Sequence, residues 1–124
     1  IPCKAVQSLA DLGKLHELPS VILVNEAQFF PDVKEWCISA VEGHNKRVTL
    51  AGLDGDYRRQ QFGNWLDLIP FADSVTKLRA ICASCKRAHA PFTWRMDGHA
   101  SGQILVGTEQ YQALCRACYK KLAT

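Results

Sequence analysis

Four of the six cysteines stand as two C-x-x-C pairs, Cys82-Ala-Ser-Cys85 and Cys115-Arg-Ala-Cys118, separated by a 29-residue insert. Two intervening residues let both thiolates of a pair face one ion, and two pairs supply the four soft ligands of a closed tetrahedral zinc site. Six cysteines can also serve as disulfides or redox groups. Paired C-x-x-C motifs without a basic-then-apolar leader favour metal. A four-thiolate site stores structure rather than reactivity, so Lys86 to Leu114 reads as a loop tied at its base that carries Phe92-Thr93-Trp94-Arg95. His16, His44, His89 and His99 lack ligand spacing with the cysteines, except that His89 lies near enough to Cys85 to compete. All four read as structural or surface residues.

Outside the cysteines, Glu26 follows the apolar run Val21-Ile-Leu-Val24. A carboxylate at a strand's carboxyl end can take a proton from a bound hydroxyl, or it can be a cap or a solvated loop residue. Phe29, Tyr57 and Phe62 can box a flat ring or pack in a core. Arg58, Arg59 and Arg95 can hold phosphate in bidentate fashion or serve as exposed solubilising charges. Phosphoryl transfer requires a cradle of backbone N–H groups of the G-x-x-x-x-G-K-[ST] type. The nearest pattern, Gly102-Gln-Ile-Leu-Val-Gly107, has Thr108 in place of the essential lysine. A Ser-His-Asp signature, a G-x-S-x-G elbow and a dinucleotide fingerprint are also missing from these residues.

The elements that must position these groups follow from periodicity. Leu9, Leu12, Leu15 and Leu18 recur every third residue, as in helical turns, before Pro19-Ser20. Val21–Val24 reads as a buried strand. Pro31 suits a first helical turn, and Val33, Trp36, Cys37, Ala40 and Val41 repeat at helical spacing until Gly43. Arg47–Leu53 follows as a second apolar strand, which completes a strand–helix–strand unit whose strands should be parallel. Ligands of parallel α/β sheets gather at the carboxyl ends of the strands. Here those ends are Asn25-Glu26 and Leu53-Asp54, followed by the polar, glycine-punctuated loop 54–63. Trp65 to Phe71 is a short apolar element broken at Pro70, Ser74 to Ile81 reads as a strand, Ile104 to Val106 as another, and Thr108 to Leu122 as a helix capped by Thr108 with Cys115 and Cys118 at i, i+3.

With 124 residues, 48% of them apolar, the chain is one domain's length and can fold around a core. No window of 18 apolar residues occurs, so a soluble intracellular protein is expected, with no membrane partner. The net charge of +3 conceals an asymmetry: residues 1–73 carry 7 basic and 10 acidic side chains, residues 74–124 carry 8 and 2. A basic half suits an anionic ligand or an ordinary solvated surface. Nucleic acid is disfavoured as a partner, because recognition-helix spacing and a dense Lys/Arg stripe are lacking.

Taken in order, these segments resemble the zinc-containing thymidine kinases, the family that includes the cytosolic cell-cycle enzyme. Asn25-Glu-Ala-Gln-Phe-Phe30 is similar to the family's D-E-[AG]-Q-F-F, and Gly52-Leu-Asp-Gly-Asp-Tyr57 with Gln61-Phe-Gly63 is similar to its L-D-x-x-F…P-F-G loop. Ala80–Cys85, Thr93-Trp-Arg95, Ile104–Gly107, Tyr111 and Cys115–Cys118 are similar to its zinc and lasso part. The resemblance spans nearly all of residues 20–120. It implies an α/β fold with a parallel-sheet, P-loop-kinase-like core over residues 1–73, incomplete because the P-loop strand and helix would precede residue 1, and a small zinc-binding lasso subdomain over residues 74–124.

The same resemblance implies ATP-dependent phosphorylation of thymidine, and of deoxyuridine, at the 5′-hydroxyl. Glu26 is the implied catalytic base. Phe29, Leu53, Tyr57, Phe62 and Tyr111 would surround the nucleobase, the main chain of Ile104, Leu105, Val106 and Gly107 would hydrogen-bond the pyrimidine edge, Thr93 would lie near the ring methyl, and Arg95 would serve the phosphate side. Cys82, Cys85, Cys115 and Cys118 would hold structural Zn²⁺, and Mg²⁺ would enter with ATP. Further implications are a tetramer, feedback by thymidine triphosphate, a cytoplasmic location and a companion segment carrying the P-loop; the alternative is a non-catalytic nucleoside-binding half. Three positions depart from the family pattern: Asn25 for Asp, Tyr57 for Phe and Gln61 for Pro.

Overall fold

The computed structural model describes residues 1–96 and 110–124. The described chain divides into two compact units, Ile1–Asp54 with Gln61–Ser74, and Gly55–Gln60 with Val75–Thr124.

In the first unit, β1 (Val21–Val24) and β2 (Arg47–Leu50) pair in parallel, with Val21 opposite Arg47 and Val24 opposite Leu50. Their connection runs through α1 (Val33–Ile38), which widens into a π-type turn over Ser39–Gly43. The predicted strand–helix–strand unit is thus present, although β2 stops at Leu50 rather than Leu53. Hydrogen bonding continues past the strand ends, from Ala51 N to Val24 O at 2.9 Å and from Ala27 N to Ala51 O at 3.0 Å. This extension carries Glu26–Gln28 alongside Gly52-Leu53. Apolar residues at helical spacing bury Val33, Trp36, Cys37 and Ala40 against Leu9, Val24, Ala27 and Leu68. The leucine triplet repeat forms two 3-10 turns, Leu9–Leu12 and Leu15–Glu17.

Asp32, at the start of α1, caps a different element. Its carboxylate accepts from Ser8 Oγ at 2.7 Å, Leu9 N at 3.1 Å and Ala10 N at 2.9 Å, which satisfies amides at the start of the Leu9–Leu12 turn. Partial burial works against ionisation, but the bonds from Ser8, Leu9 and Ala10 prevail and hold the carboxyl below its ordinary 3.8. A carboxylate with a lowered folded-state pKa adds stability above its unfolded value, and that contribution is lost as pH falls through the folded value. Asp32→Ala is therefore expected to cost about 1–2 kcal/mol near neutrality. Urea midpoints of wild type and variant measured from pH 7 downwards check this: the gap should narrow below about pH 4.

In the second unit, β3 (Ala80–Ile81) pairs antiparallel with β4 (Ala88–Ala90), and β5 (Phe92–Arg95) pairs antiparallel with β6 (Tyr111–Leu114). The last element is α2 (Arg116–Ala123). Two sequence expectations are corrected here. Only Ala80–Ile81 of the proposed Ser74–Ile81 strand is extended in a ladder, and Val75 and Leu78 are exposed, because no neighbouring strand among the described residues pairs with them. The proposed Thr108–Leu122 helix is a strand over Tyr111–Leu114, since pairing with β5 overrides local helical spacing, and the helix starts only after Cys115. The proposed cap Thr108 and the proposed strand Ile104–Val106 lie outside the described residues. No helix among the described residues is long and apolar enough to cross a membrane.

Candidate functional site

The two cysteine pairs reach one point from different elements. Cys82 and Cys85 lie on the turn between β3 and β4, closed by Cys82 N to Arg87 O at 2.8 Å and Lys86 N to Cys82 O at 3.0 Å, with Lys86 in the left-handed region at φ 61°. Cys115 sits immediately before α2 and Cys118 in its first turn. Ala83 N donates to Ala113 O at 2.8 Å and ties the first pair to β6. The four Sγ atoms lie within 4.8 Å of one another, and those of Cys85 and Cys115 are 3.9 Å apart. Tetrahedral zinc–thiolate bonds of about 2.3 Å place sulfurs about 3.8 Å apart, so the cluster fits a metal of that kind.

The electrostatics agree with the fit. Backbone N–H groups of Cys115, Cys85 and Ser84 hold the Cys82 thiol down to about 6. Cys115 is lowered as well, chiefly by the Cys118 N–H. Cys118, despite the lowering bond from the Ser84 hydroxyl, is pushed up to about 11 by its sulfur neighbours, Cys115 first. Four sulfurs this close cannot all ionise without a cation among them. The other two cysteines stand apart: Cys3 is exposed, and Cys37 is buried in the first core, where desolvation and then Asp32 push its thiol up to about 11. His89, the possible competitor, contacts Arg79 instead, with Nδ1 3.2 Å from Nη1.

Beside the cluster, the second unit builds an aromatic and cationic stack. Phe92 and Trp94 on one face of β5 pack against Tyr119 of α2, with centroids 5.6 and 5.4 Å apart. Arg95, on the alternate face, is fully buried with its guanidinium 3.8 Å from the Tyr57 ring centroid. Tyr111 pairs with it across the ladder and Thr93 shares the strand. The loop Gly55–Gln60 is shaped by Asp56, whose Oδ1 accepts from Arg58 N and Gln60 N, both at 2.9 Å. Tyr119 Oη donates to the Tyr57 carbonyl, and Arg59 lies 4.6 Å from the Tyr119 ring centroid and 5.5 Å from that of Phe92. Arg58 and Arg59 are exposed yet stacked on rings, whereas Arg95 is no surface charge.

In the first unit, Glu26 occupies the left-handed region at φ 55° and ψ 46°, two residues past the carboxyl end of β1, with its side chain exposed. Gln28 Nε2 donates to Glu26 Oε2 at 2.6 Å. Leu53 lies past the carboxyl end of β2; its N–H donates to Gln28 Oε1 at 3.1 Å and its carbonyl accepts from Trp65 Nε1 at 2.9 Å. Phe29 and Phe62 meet edge to face, 5.4 Å between centroids. The sequence-predicted residues are thereby assembled as two groups: Glu26, Phe29, Leu53 and Phe62 in the first unit, and Tyr57, Thr93, Arg95, Tyr111 and the four cysteines in the second. Ile104, Leu105, Val106 and Gly107 lie outside the described residues.

Sequence reasoning missed Gln28, Asp56 and Tyr119. Gln28 lies inside the segment Asn25–Phe30, and Tyr119 directly follows the last cysteine, so their neighbours were the available signal.

A family model described as thymidine kinase matches residues 2–119. A thymidine kinase of Oryza sativa subsp. japonica is 42% identical over 124 residues, covering 96% of this chain and 45% of the relative. The cytosolic thymidine kinase of Homo sapiens is 41% identical over 105 residues, covering 85% and 44%, and a thymidine kinase of Variola virus is 38% identical over 117 residues, covering 94% and 61%. The chain spans about half the length of the curated relatives it matches. With the four-cysteine cluster in place and a family match over nearly its whole length, the chain belongs to the thymidine kinase family.

Proposed function

We propose that these residues supply the catalytic base and nucleoside-contacting groups of an ATP-dependent thymidine 5′-kinase, with deoxyuridine as a second substrate. The observation that carries this is the placing of Glu26: an exposed carboxylate at the carboxyl end of a parallel strand, anchored through one oxygen, in a chain of this family. Its other oxygen takes the proton from the nucleoside 5′-hydroxyl. The hydroxyl oxygen then bonds to the γ-phosphorus of ATP, the bond from that phosphorus to the bridging oxygen breaks, and ADP leaves with the electron pair. Magnesium enters as part of the nucleotide co-substrate and offsets phosphate charge. Asn25 is a neutral amide and is assigned no metal-holding role.

Residues 1–73 form the kinase part and residues 74–124 the zinc and lasso part in this reading. Phe29, Leu53, Tyr57, Phe62, Thr93, Arg95, Tyr111 and the main chain of Ile104 to Gly107 contact the nucleoside. Zinc is the metal of the four-cysteine cluster, where it fixes the base of the lasso. The phosphate-donor loop lies in a segment outside these residues; Val21 and Leu23, on one face of β1 and exposed at 56% and 63%, support a further layer that covers that face. The full-length protein is a cytosolic homotetramer with thymidine triphosphate as feedback inhibitor. Incubating full-length protein with ATP and thymidine, and resolving the products by chromatography, tests the reading. Thymidine monophosphate and ADP in equal amounts are expected, and saturable thymidine binding without product would replace it with a non-catalytic nucleoside-binding role.

A further inference from the structure

We infer that Gln28 is a positioning residue that fixes the Glu26 carboxylate for proton transfer; the inference rests on the assignment of Glu26 as the base. Gln28 is only 5% exposed, and both ends of its carboxamide are used. The Leu53 N–H, 3.1 Å from Oε1, can only donate, so the amide orientation is set: Oε1 faces Leu53 and Nε2 is left to donate to Glu26 Oε2 at 2.6 Å. The two bonds run from Leu53, three residues past β2, through a buried side chain to Glu26, two residues past β1. The main-chain bond from Ala27 N to Ala51 O, 3.0 Å, braces the same junction.

Space around Gln28 is reserved by two glycines. A Cβ on Gly52 would overlap Gln28 Oε1, and one on Gly63, whose φ of +68° already disfavours other residues, would overlap the Gln28 carbonyl oxygen. An exposed glutamate otherwise samples several rotamers, and each turns the carboxylate away from a given hydroxyl. The bond to Gln28 selects among them and engages Oε2, which assigns proton transfer to Oε1.

Steady-state kinetics of the full-length protein with thymidine test this, using Gln28→Met, Gln28→Glu, Glu26→Gln and the double variant Glu26→Gln/Gln28→Met. Gln28→Met keeps the volume and loses both bonds; kcat should fall by roughly 10- to 100-fold while KM for thymidine stays within about 3-fold. Gln28→Glu keeps volume and the acceptor for Leu53 N–H but sets a carboxylate against Glu26. Two carboxyls this close share a proton near neutral pH, so a similar fall is expected here too, with the pH profile of kcat shifted upwards, a readout that a merely structural role would not move. The double variant should be no slower than Glu26→Gln alone, since a positioned group that has been removed needs no positioning. Wild-type kcat in Gln28→Glu, or additive losses in the double variant, overturns the inference even where Glu26→Gln is inactive. Wild-type kcat in Glu26→Gln instead overturns the base assignment itself. Should Gln28→Met fail to fold, Gln28→Glu and its thermal midpoint decide.

Discussion

Cys115→Ser in the full-length protein is expected to remove about one zinc per chain and to unfold the second unit, while the first keeps its structure. The reason lies in how little else holds that unit. Among the described residues its apolar core is one small cluster, Cys82, Ala90, Leu114 and Tyr119, of which one is itself a candidate ligand; Asp56, Tyr57 and Arg95 are the other buried side chains. Burying so few side chains contributes several kcal/mol at about 25 cal/mol per Å², which the entropy of ordering the strands and α2 exceeds. Structural zinc supplies on the order of 10–16 kcal/mol in small domains, enough to reverse that balance. The cysteines also fix the main chain directly, because one pair closes the β3–β4 turn and the other opens α2.

Loss of metal should propagate to the loop Gly55–Gln60. Tyr119 follows Cys118, its hydroxyl holds the Tyr57 carbonyl, and its ring carries Arg59. Once α2 is released, tryptic cleavage at exposed Arg58 and Arg59 should accelerate by tenfold or more, of order 1.4 kcal/mol or more of lost protection. Chelation of wild type should reproduce the effect, and acidification should promote it, because thiolates must lose protons to bind metal. Metal analysis with timed proteolysis and mass spectrometry checks all three arms. A Cys115→Ser protein that retains about one zinc and wild-type protection of residues 110–124 would rule out a four-thiolate site.

What could be read from the sequence depended on whether the signal was local. The cysteine spacing encodes the cluster because two knuckles need only two short turns, the unbroken run Val21–Val24 encodes β1, and the helical spacing of Val33–Val41 encodes α1; the burial expected along β1 is complete only at Val24, with Val21 and Leu23 exposed. Tyr111–Leu114 failed for the complementary reason: it has no strand period of its own and is extended because β5 is beside it. Loop 54–63 was legible as a loop, but not that Gly55–Gln60 clusters with the cysteine-bearing unit, which depends on Tyr119 and Arg59 far apart in sequence. Glu26 and Gln28 show the same division. Their order is plain in the chain, whereas the bond that joins them depends on Leu53 arriving from the other strand.

Glu26→Gln is expected to lower kcat of the full-length kinase by about 10²- to 10⁴-fold with KM for thymidine nearly unchanged. Glutamine keeps the length and can still meet Gln28, so the fold should be unaffected; what it lacks is a basic oxygen. The nucleoside 5′-hydroxyl is a poor nucleophile near neutral pH, and its oxygen must shed a proton as it bonds to phosphorus. With an amide in place, that proton passes to water, and the loss corresponds to about 3–5 kcal/mol of barrier. A group that only bound substrate would raise KM instead, because contacts shared by ground and transition states leave kcat unaltered. Stopped assays across thymidine concentration, with a thermal midpoint to establish folding, separate the two outcomes. A variant with wild-type kcat would show that proton removal is carried out elsewhere, and the exposed carboxylate past the end of β1 would then be a solvated loop residue, since it makes no cap hydrogen bond to the Ala27–Phe29 turn.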